Sequence, residues 1–340
     1  MTCIIYIIDL MSSFKLYDYG ILKRLGFKIK IVNAQSSIKL LSKGFIKGFL
    51  GDLFYAWYAT SPGLVAVILG KIYRKPSIIN VAGFEVCRQE DIKYGLRIIN
   101  PEKVKYVRYA LRNATKVIAV SQHVAEMVNE VEPNSNIEII YNSVDTSKFS
   151  PLQTLNKEKL LISIGFLSKE NIVKKGFHTL LNAMPIILKY DADVKLVIIG
   201  EKGEGYSILF EIVRRLKIEN NVIFTGFVDE DVLISFLRRG MIYVHPAGHE
   251  SFGISIAEAM SCGLPVITTR RGAIPEVVGD AGLYVPFNDE SSLAEAILTL
   301  LNNGELRKEL SIKARERAVK MFDVSIRAKK LKELIDRVMT

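Results

Sequence analysis

Residues 241–268 read MIYVHPAGHESFGISIAEAMSCGLPVIT, and this stretch contains the repeating unit of the chain. An apolar strand is predicted over Met241–Val244, and a loop and a helix that ends at Gly263 follow it. A second apolar strand is predicted over Pro265–Thr268. A strand, a helix and another apolar strand in this order are typical of the βαβ unit of a parallel sheet.

The same alternation of short Ile- and Val-rich runs with longer helical segments extends along the rest of the chain. Six strands are predicted before residue 141, starting with Cys3–Asp9, and six more from Leu160 onward. Each strand is apolar throughout, as expected when helices cover both faces of a parallel sheet. The sequence therefore predicts an α/β fold with two doubly wound, Rossmann-like domains. Their ligand site is expected where the carboxyl ends of the strands face one cleft.

The polar segment from Tyr141 to Pro151 interrupts this alternation and is interpreted as a linker. With 340 residues, the chain is longer than one hydrophobic core usually organises. We expect an N-terminal domain over 1–150 and a C-terminal domain over 151–321. The last segment, 322–340, is predicted to be a helix that packs back on the first domain.

Charge and cysteine content limit the class of protein. The chain has 46 Lys and Arg against 36 Asp and Glu, a formal net charge of +10, which favours an anionic partner. Cys3, Cys87 and Cys262 are far apart, so neither a disulfide framework nor a zinc site is predicted. The amino terminus lacks the basic start of a signal peptide, and no uncharged run reaches about 18 residues. We expect a cytoplasmic chain.

The helix within 241–268 is predicted to begin near Ser251 or Phe252, and its amino end is expected to form an anion site. Free backbone N–H groups at a helix start bind phosphate, so Phe252, Gly253 and Ile254 are candidates for main-chain contacts to a diphosphate. Gly253 would allow close approach of the ligand.

Two carboxylates, Glu250 and Glu258, flank this predicted helix start. They are eight positions apart, about 12 Å if the segment is helical, which suits the two ends of one elongated ligand. Carboxylates bind vicinal hydroxyls well, as the acidic residue of a dinucleotide-binding fold does. Hydroxyls at both ends with phosphates between them describe a sugar nucleotide.

These motifs resemble those of the retaining GT-B glycosyltransferases of glycosyltransferase family four, also called group one. The resemblance covers residues 50–320 and is most specific after residue 140. The motifs that carry it are the two glutamates separated by seven residues, Glu250-Ser-Phe-Gly…Glu258-Ala-Met-Ser-Cys-Gly-Leu-Pro, then Gly272-Ala-Ile-Pro-Glu276, Gly282-Leu-Tyr-Val, Tyr141-Asn-Ser-Val-Asp-Thr-Ser-Lys-Phe and Ile164-Gly-Phe-Leu…Lys175-Gly-Phe.

The resemblance implies roles for individual residues in binding a nucleotide diphosphate sugar. Glu258 would hold the ribose hydroxyls, Glu250 would contact the transferred sugar, and Lys175 would neutralise the diphosphate leaving group. No divalent metal and no other cofactor is then expected, because an ammonium and a helix amino end stabilise the developing charge. The predicted nucleotide-sugar-binding set is Lys175, Glu258, Ser251, Phe252, Gly253, Ile254, Gly165 and Phe166.

Two departures from the family pattern concern candidate site residues. Phe166 stands after Gly165 where relatives usually have Arg, so we expect either that Lys169 or Lys174 replaces the missing cation or that the diphosphate is held more weakly. The first domain also lacks the histidine that many relatives carry, and Glu85, which follows a predicted strand, is the best candidate for its catalytic residue. In a retaining, front-side mechanism the departing phosphate oxygen takes the acceptor proton, so a missing base does not exclude activity. His245 and His249 are interpreted as structural or solvent-facing.

The resemblance implies metal-independent transfer of a hexosyl group, with retention, to a glycan or lipid-linked acceptor held by the first domain. A sugar-nucleotide epimerase shares this architecture and is one alternative; it would release an isomerised sugar without any acceptor. A non-catalytic nucleotide-sugar-binding protein is the other, suggested by Phe166 and by the missing family histidine of the first domain. The resemblance is compatible with a uridine, guanosine or adenosine nucleotide.

The excess positive charge lies mainly in residues 15–47, which contain eight basic residues and one acid, Asp18. Lys39, Lys43 and Lys47 recur every four residues among apolar side chains, a basic amphipathic pattern typical of helices on anionic membrane surfaces. A surface helix with its apolar side on the core explains the pattern equally well. Nucleic acid is not expected, since no binding module accompanies the charge.

Overall fold

The computed structural model describes residues 2–9, 13–152 and 157–340. It divides into two compact units. Unit 1 comprises Met1–Asn142 together with Val324–Thr340, and unit 2 comprises Ser143–Asp323. The last helix of the chain is therefore part of unit 1.

Unit 1 is built on a six-stranded parallel sheet in the order β2-β1-β3-β4-β5-β6. Its strands are β1 (Cys3–Ile8), β2 (Lys28–Asn33), β3 (Leu53–Trp57), β4 (Ser77–Val81), β5 (Lys116–Ala119) and β6 (Ile137–Ile139). Its helices are α1 (Ser13–Arg24), α2 (Ser37–Gly48), α3 (Ser61–Tyr73), α4 (Leu96–Ile99), α5 (Val104–Asn113), α6 (Gln122–Val131) and, at the end of the chain, α15 (Val324–Met339), with a 3₁₀ turn at Pro101–Lys103.

Unit 2 has a second six-stranded parallel sheet in the order β12-β11-β10-β7-β8-β9. Its strands are β7 (Leu160–Ile164), β8 (Lys195–Ile199), β9 (Val222–Gly226), β10 (Ile242–His245), β11 (Val266–Thr268) and β12 (Gly282–Tyr284). Its helices are α7 (Lys169–Lys174), α8 (Phe177–Leu188), α9 (Tyr206–Leu216), α10 (Glu230–Arg239), α11 (Ile254–Ser261), α12 (Ile274–Val278), α13 (Glu290–Asn302) and α14 (Gly304–Phe322), with a 3₁₀ turn at Glu219–Asn221.

Both sheets are parallel and alternate with helices, so the predicted fold class of two doubly wound α/β domains is confirmed. The central strands are buried on both faces, as their apolar sequences predicted; every residue of β1 and β3 is buried. In unit 2, an aliphatic core from β7, β8 and β10 packs against α8 and α13. This core holds the strand ends, and the loops that follow them, in fixed positions.

A buried ion pair attaches α15 to the rest of unit 1. The guanidinium of Arg327 donates from Nε and Nη2 to the two carboxylate oxygens of Asp18 on α1, at 2.6 and 2.8 Å. Its Nη1 donates to the carbonyl oxygens of Ile140 and Tyr141, at 3.0 and 2.8 Å. Asp18 also accepts from the hydroxyl of Tyr55, at 2.8 Å. Because both charges are buried and fully hydrogen-bonded, this pair fixes α15 on the sheet of unit 1.

We expect Arg327→Met to lower the free energy of unfolding of unit 1 by about 3–5 kcal/mol, because Asp18 would stay buried without its partner. The chain has one tryptophan, Trp57, which is buried in unit 1 with its ring 5.7 Å from the Arg327 guanidinium carbon. Its fluorescence during urea unfolding therefore measures the stability of this unit.

The matched control is Lys332→Met, on the same helix. Lys332 is exposed and pairs with Asp336 at 2.8 Å, so its loss should cost less than about 1 kcal/mol. Equal unfolding midpoints for the two variants would show that the buried pair does not hold α15 in place.

Candidate functional site

The strand order of unit 2 determines where a ligand can bind. The chain runs outward from β7 to β8 and β9, then crosses back to β10 on the other side of β7. Such a reversal leaves a crevice at the carboxyl ends of the two central strands, where ligands of open α/β sheets bind. β7 and β10 are direct neighbours, with Leu161 opposite Ile242. The loops after these two strands therefore lie side by side, and they carry most of the residues predicted for the site.

The carboxylate of Glu250 is at the centre of this region and is nearly buried. Its Oε1 accepts from Nζ of Lys175 and from Nε2 of His245, the latter at 2.8 Å. Burial by itself would raise the pKa of Glu250. The Lys175 ammonium, the His245 bond and the charge of Lys174 outweigh this effect and hold the pKa well below its ordinary value. Glu250 is therefore ionised at neutral pH.

His245, the last residue of β10, is fully buried beneath Glu250. Burial lowers the pKa of His245 despite the adjacent carboxylate, so the ring is neutral at neutral pH. We assign its proton to Nε2, because an ionised Glu250 can only accept. Nδ1 faces the hydroxyl of Tyr243 at 3.4 Å, and that hydroxyl bonds to Ser255 at 2.9 Å. The polar network thus continues from Glu250 through β10 to α11.

The sequence analysis interpreted His245 and His249 as structural or solvent-facing. Both are fully buried, which excludes the solvent-facing alternative and leaves the structural one. The available signal was the position of His245 at the carboxyl end of a central strand. Side chains at that edge face the ligand crevice in doubly wound sheets.

Two glycines hold the backbone around Glu250 and Lys175. Gly176 has φ +69°, and a Cβ there would lie 2.1 Å from the carbonyl oxygen of Pro246. Gly272 has φ +58°, and a Cβ there would lie 2.3 Å from the carbonyl oxygen of Glu250. Only glycine combines this conformation with such close approach. The end of α7 and the loop before α12 therefore pack directly against the loop that carries Glu250.

The start of α11 differs from the prediction. The helix begins at Ile254, and Ser251 and Phe252 belong to the preceding loop. Gly253 adopts φ +92°, a left-handed conformation that interrupts helical geometry before Ile254. The Phe252 side chain is buried and packs edge-on against Phe322, with ring centroids 5.2 Å apart. Gly253 is the residue before the helix and Ile254 is its first residue, so their amides stay candidates for the free N–H groups of a helix amino end.

Glu258 lies one turn inside α11 and is partly buried. The predicted spacing of two helical turns between Glu250 and Glu258 is wrong, because only the part from Ile254 onward is helical. Burial raises the pKa of Glu258 to about 8, and the charge of Glu230 adds to the effect. A large fraction of Glu258 is therefore protonated at neutral pH.

Gly165 and Phe166 follow β7, and Gly165 borders the Lys175 side chain. The amide of Gly165 donates to the carbonyl of Ile199 at 2.9 Å, and a Cβ at Gly165 would lie 3.5 Å from Cγ of Lys175. Phe166 is exposed, and its carbonyl accepts from Nδ2 of Asn171 at 2.8 Å.

The two lysines predicted to replace the family arginine have different surroundings. Lys174 lies close enough to lower the pKa of Glu250, whereas Lys169 is exposed at the first position of α7. Of the two, Lys174 contributes positive potential to the site.

Glu85 belongs to unit 1, where it is fully buried after β4. Its carboxylate accepts from the amides of Ala59 and Ala82, both at 3.2 Å, and of Gly83 at 3.0 Å. Burial raises the pKa of Glu85 to about 7, although these amide bonds lower it. The residue ties the carboxyl end of β3 to that of β4, and its catalytic role stays a prediction.

Acidic pairs outside this region have structural partners. Asp229 caps the amino end of α10 by accepting from the amide of Val232 at 2.9 Å, and Asp191 pairs with Lys159 at 2.8 Å. Within the described ranges, no cluster of three or more His, Cys, Asp or Glu side chains is arranged to hold a metal ion. Cys3, Cys87 and Cys262 are all buried, and none of them is part of a disulfide.

Helices long and apolar enough to cross a bilayer are absent from the part of the chain that the structure describes.

Comparison with known proteins identifies relatives over most of the chain. N-acetyl-alpha-D-glucosaminyl L-malate synthase of Bacillus anthracis is 30% identical over 66% of this chain, and the match spans 60% of that protein. The capsular polysaccharide biosynthesis glycosyltransferase CapM of Staphylococcus aureus is 30% identical over 78% of this chain and 71% of its own length. The solved structure of HepE from Anabaena in complex with UDP and glucose has the same fold. It has a TM-score of 0.84 at 19% identity, covering 99% of this chain and 100% of that one.

Family models cover both units. The model described as Glycosyltransferase Family 4 matches residues 27–148, and the model described as Glycosyl transferases group 1 matches residues 145–317, which contain Lys175, Glu250 and Glu258. The resemblance seen in the motifs is thereby confirmed, and the chain belongs to the group 1 glycosyl transferases.

Proposed function

We propose that this chain transfers a sugar from a nucleotide diphosphate sugar to an acceptor, with retention of anomeric configuration and without a metal ion. The observation that carries the proposal is the ion pair between Lys175 and Glu250 at the carboxyl ends of β7 and β10. It places a cation and an ionised carboxylate in the crevice where the fold binds ligands, next to the amino end of α11.

The charges suit cleavage of a glycosyl–phosphate bond. The departing diphosphate gains negative charge, which the Lys175 ammonium and the first-turn amides of α11 would stabilise. An ammonium has three donors, and Glu250 uses one of them, so Lys175 can bind phosphate while the ion pair persists. These groups supply positive charge where a divalent cation would otherwise act.

Glu250 would contact the transferred sugar. Its ionised carboxylate is held by Lys175 and His245 through Oε1, which leaves Oε2 able to accept from sugar hydroxyls. A fixed negative charge beside the anomeric carbon also stabilises the positive charge that develops there as the bond breaks. His245 acts here as a positioning residue, because it touches Glu250 and not the ligand.

Glu258 would bind the ribose hydroxyls of the nucleotide. Because its pKa is about 8, the carboxyl group can both donate and accept at neutral pH, which matches a pair of vicinal hydroxyls. We propose that unit 1 binds the acceptor, and that the acceptor is a glycan or a lipid-linked sugar. The similarity to a capsular polysaccharide biosynthesis glycosyltransferase favours this class of acceptor.

We expect Glu258→Ala to abolish detectable binding of the donor, because the ribose loses a bidentate partner. Glu258→Gln should weaken binding less, because its amide also donates and accepts. Isothermal titration with a panel of UDP-, GDP- and ADP-sugars measures the effect and identifies the base. Glu295→Gln, an exposed change on α13, is the matched control and should bind like the wild type. Unchanged affinity in Glu258→Ala would remove Glu258 from the nucleotide site.

Changes at the ion pair should separate binding from chemistry. Lys175→Met is expected to lower kcat about 10²–10³-fold, because the leaving group loses its fixed cation. Glu250→Ala should lose transfer with a smaller effect on donor affinity. Lys189→Met, an exposed change at the residue after α8, serves as the control in the same sugar-transfer assay.

Two outcomes would contradict the assignment of these roles. Full turnover in Lys175→Met or Glu250→Ala would show that the ion pair does not take part in the reaction. An isomerised sugar formed from donor alone would identify an epimerase instead of a transferase.

Glu85 requires a test that distinguishes catalysis from structure. Its pKa of about 7 in the native state exceeds that of an unfolded chain, so the native state binds the extra proton between about pH 4.5 and 7. The stability of unit 1 should therefore fall as pH rises through this range, and Glu85→Gln should reduce this dependence when Trp57 fluorescence is followed. If Glu85 is catalytic, the same variant must also lose transfer at constant donor affinity. An unchanged kcat and pH–rate profile would exclude that role.

A further inference from the structure

Helix α2 of unit 1 exposes its large apolar side chains to solvent. We call these side chains, with the lysines beside them, the α2 surface: Ile38 (80% exposed), Phe45 (55%), Ile46 (77%), Phe49 (76%) and Leu50 (56%), flanked by Lys39, Lys43 and Lys47. The buried side of the helix is formed by Leu40, Gly44 and Gly48. Apart from Leu40, the helix thus carries glycines inward and its large apolar residues outward, the reverse of an ordinary surface helix.

Close packing on α3 explains the inward glycines. A Cβ at Gly44 would lie 2.5 Å from Cδ1 of Leu69, and a Cβ at Gly48 would lie 2.6 Å from the ring of Tyr73. Glycine inside a helix costs about 1 kcal/mol of stability relative to alanine. The close contact between α2 and α3 explains why glycine is nevertheless present at both positions. Larger side chains cannot enter this interface. Of the two orientations that the sequence left open, the structure shows the one with the apolar residues outside.

The exposed end of α2 is held in place by α3 and the residues after it. The hydroxyl of Tyr73 donates to the carbonyl of Phe45 at 2.6 Å. The ammonium of Lys75 donates to the carbonyl of Phe49 at 3.1 Å and to that of Gly51. A cation at these last carbonyls also favours the helix dipole. Phe45 and Phe49 are therefore exposed on a fixed scaffold.

The charged residues in the segment of the chain that contains the α2 surface are all basic. Lys43 and Lys47 donate to the carbonyls of Asn33 and Ile31 on the edge strand β2, at 3.1 and 2.8 Å, and their side chains stay exposed. No Asp or Glu occurs in residues 19–51 of the sequence. Of the basic residues in 15–47, Lys15 does not contribute, because it is buried and pairs with Asp9 at 2.6 Å.

We propose that the α2 surface docks on an anionic lipid bilayer, with the helix parallel to the membrane plane. Apolar side chains flanked by lysines match the boundary between headgroups and acyl chains, which lies about 5–10 Å deep. A second copy of this chain is a poor occupant, because two acid-free, lysine-flanked surfaces repel each other. The proposal rests on unit 1 alone and is independent of the sugar-nucleotide chemistry proposed for unit 2.

Sedimentation of the full chain with vesicles tests this proposal. Binding is expected to vesicles of phosphatidylcholine mixed with phosphatidylglycerol, to weaken with added salt, and to be at least about tenfold weaker to phosphatidylcholine alone. Ile46→Ser and Phe49→Ser should each lower the partition coefficient about tenfold, because each removes one buried apolar side chain. Lys39→Gln should lower it about fivefold. Tyr190→Ser removes an equally exposed side chain (76%) from unit 2 and should bind like the wild type.

Three results would overturn the proposal. One is equal binding of the wild type and the double variant Ile46→Ser/Phe49→Ser to the anionic vesicles, with Trp57 fluorescence showing that both proteins are folded. Another is equal binding to vesicles with and without the anionic lipid. The third is a wild-type dimer in sedimentation equilibrium that Ile46→Ser converts to a monomer, which would assign the surface to a second copy. Glu258→Gln should keep full vesicle binding, so failure of the proposed catalytic function leaves this test intact.

Discussion

A buried negative charge on Glu250 imposes the organisation of unit 2 around the carboxyl ends of β7 and β10. An ionised carboxylate in a nearly dry position is stable only if cations and donors surround it. Lys175 supplies the cation from the residue after α7, and His245 supplies a donor from the end of β10. One carboxylate oxygen therefore joins the segments that follow two neighbouring strands. Moving either segment would leave a charge without its partner.

Glycine positions make this arrangement sterically possible. Gly176 and Gly272 both have positive φ and both face carbonyl oxygens of the loop after β10 at distances that no Cβ tolerates. Gly253 has the same kind of conformation immediately before α11. The loop from Pro246 to Gly253 is thus surrounded by backbone, and its shape is set by close contacts more than by its own side chains. Such rigidity is what a site needs if its charges are to be in place before the ligand arrives.

The sequence predicted the fold and much of the candidate site, and the physical reason differs from element to element. Apolar runs such as Cys3–Ile8 can only be central strands of a covered sheet, so strand number and fold class followed from local pattern. The first residue of α11 could not be predicted from the sequence pattern, because Gly253 takes a left-handed conformation that composition does not reveal. His245 was missed because its bond to Glu250 depends on how the loop after β10 folds back. The pair between Asp18 and Arg327 joins residues 309 positions apart, and nothing local in either segment signals the other.

Net charge alone would have assigned the proposed diphosphate to the wrong domain, because it draws both the diphosphate and the proposed lipid surface to the basic first domain. Residues 1–150 carry most of the net positive charge, whereas Lys175, which pairs with Glu250, lies in the nearly balanced second half of the chain. A diphosphate needs few cations if they are fixed and desolvated, because the interaction of buried charges is screened little. A lipid surface needs many exposed cations and tolerates imprecise positions, since each contributes about 1 kcal/mol through a screened field. If both proposals hold, the mostly buried Lys175 in unit 2 and the row of exposed lysines on α2 represent two modes of anion recognition. Net charge describes only the second of them.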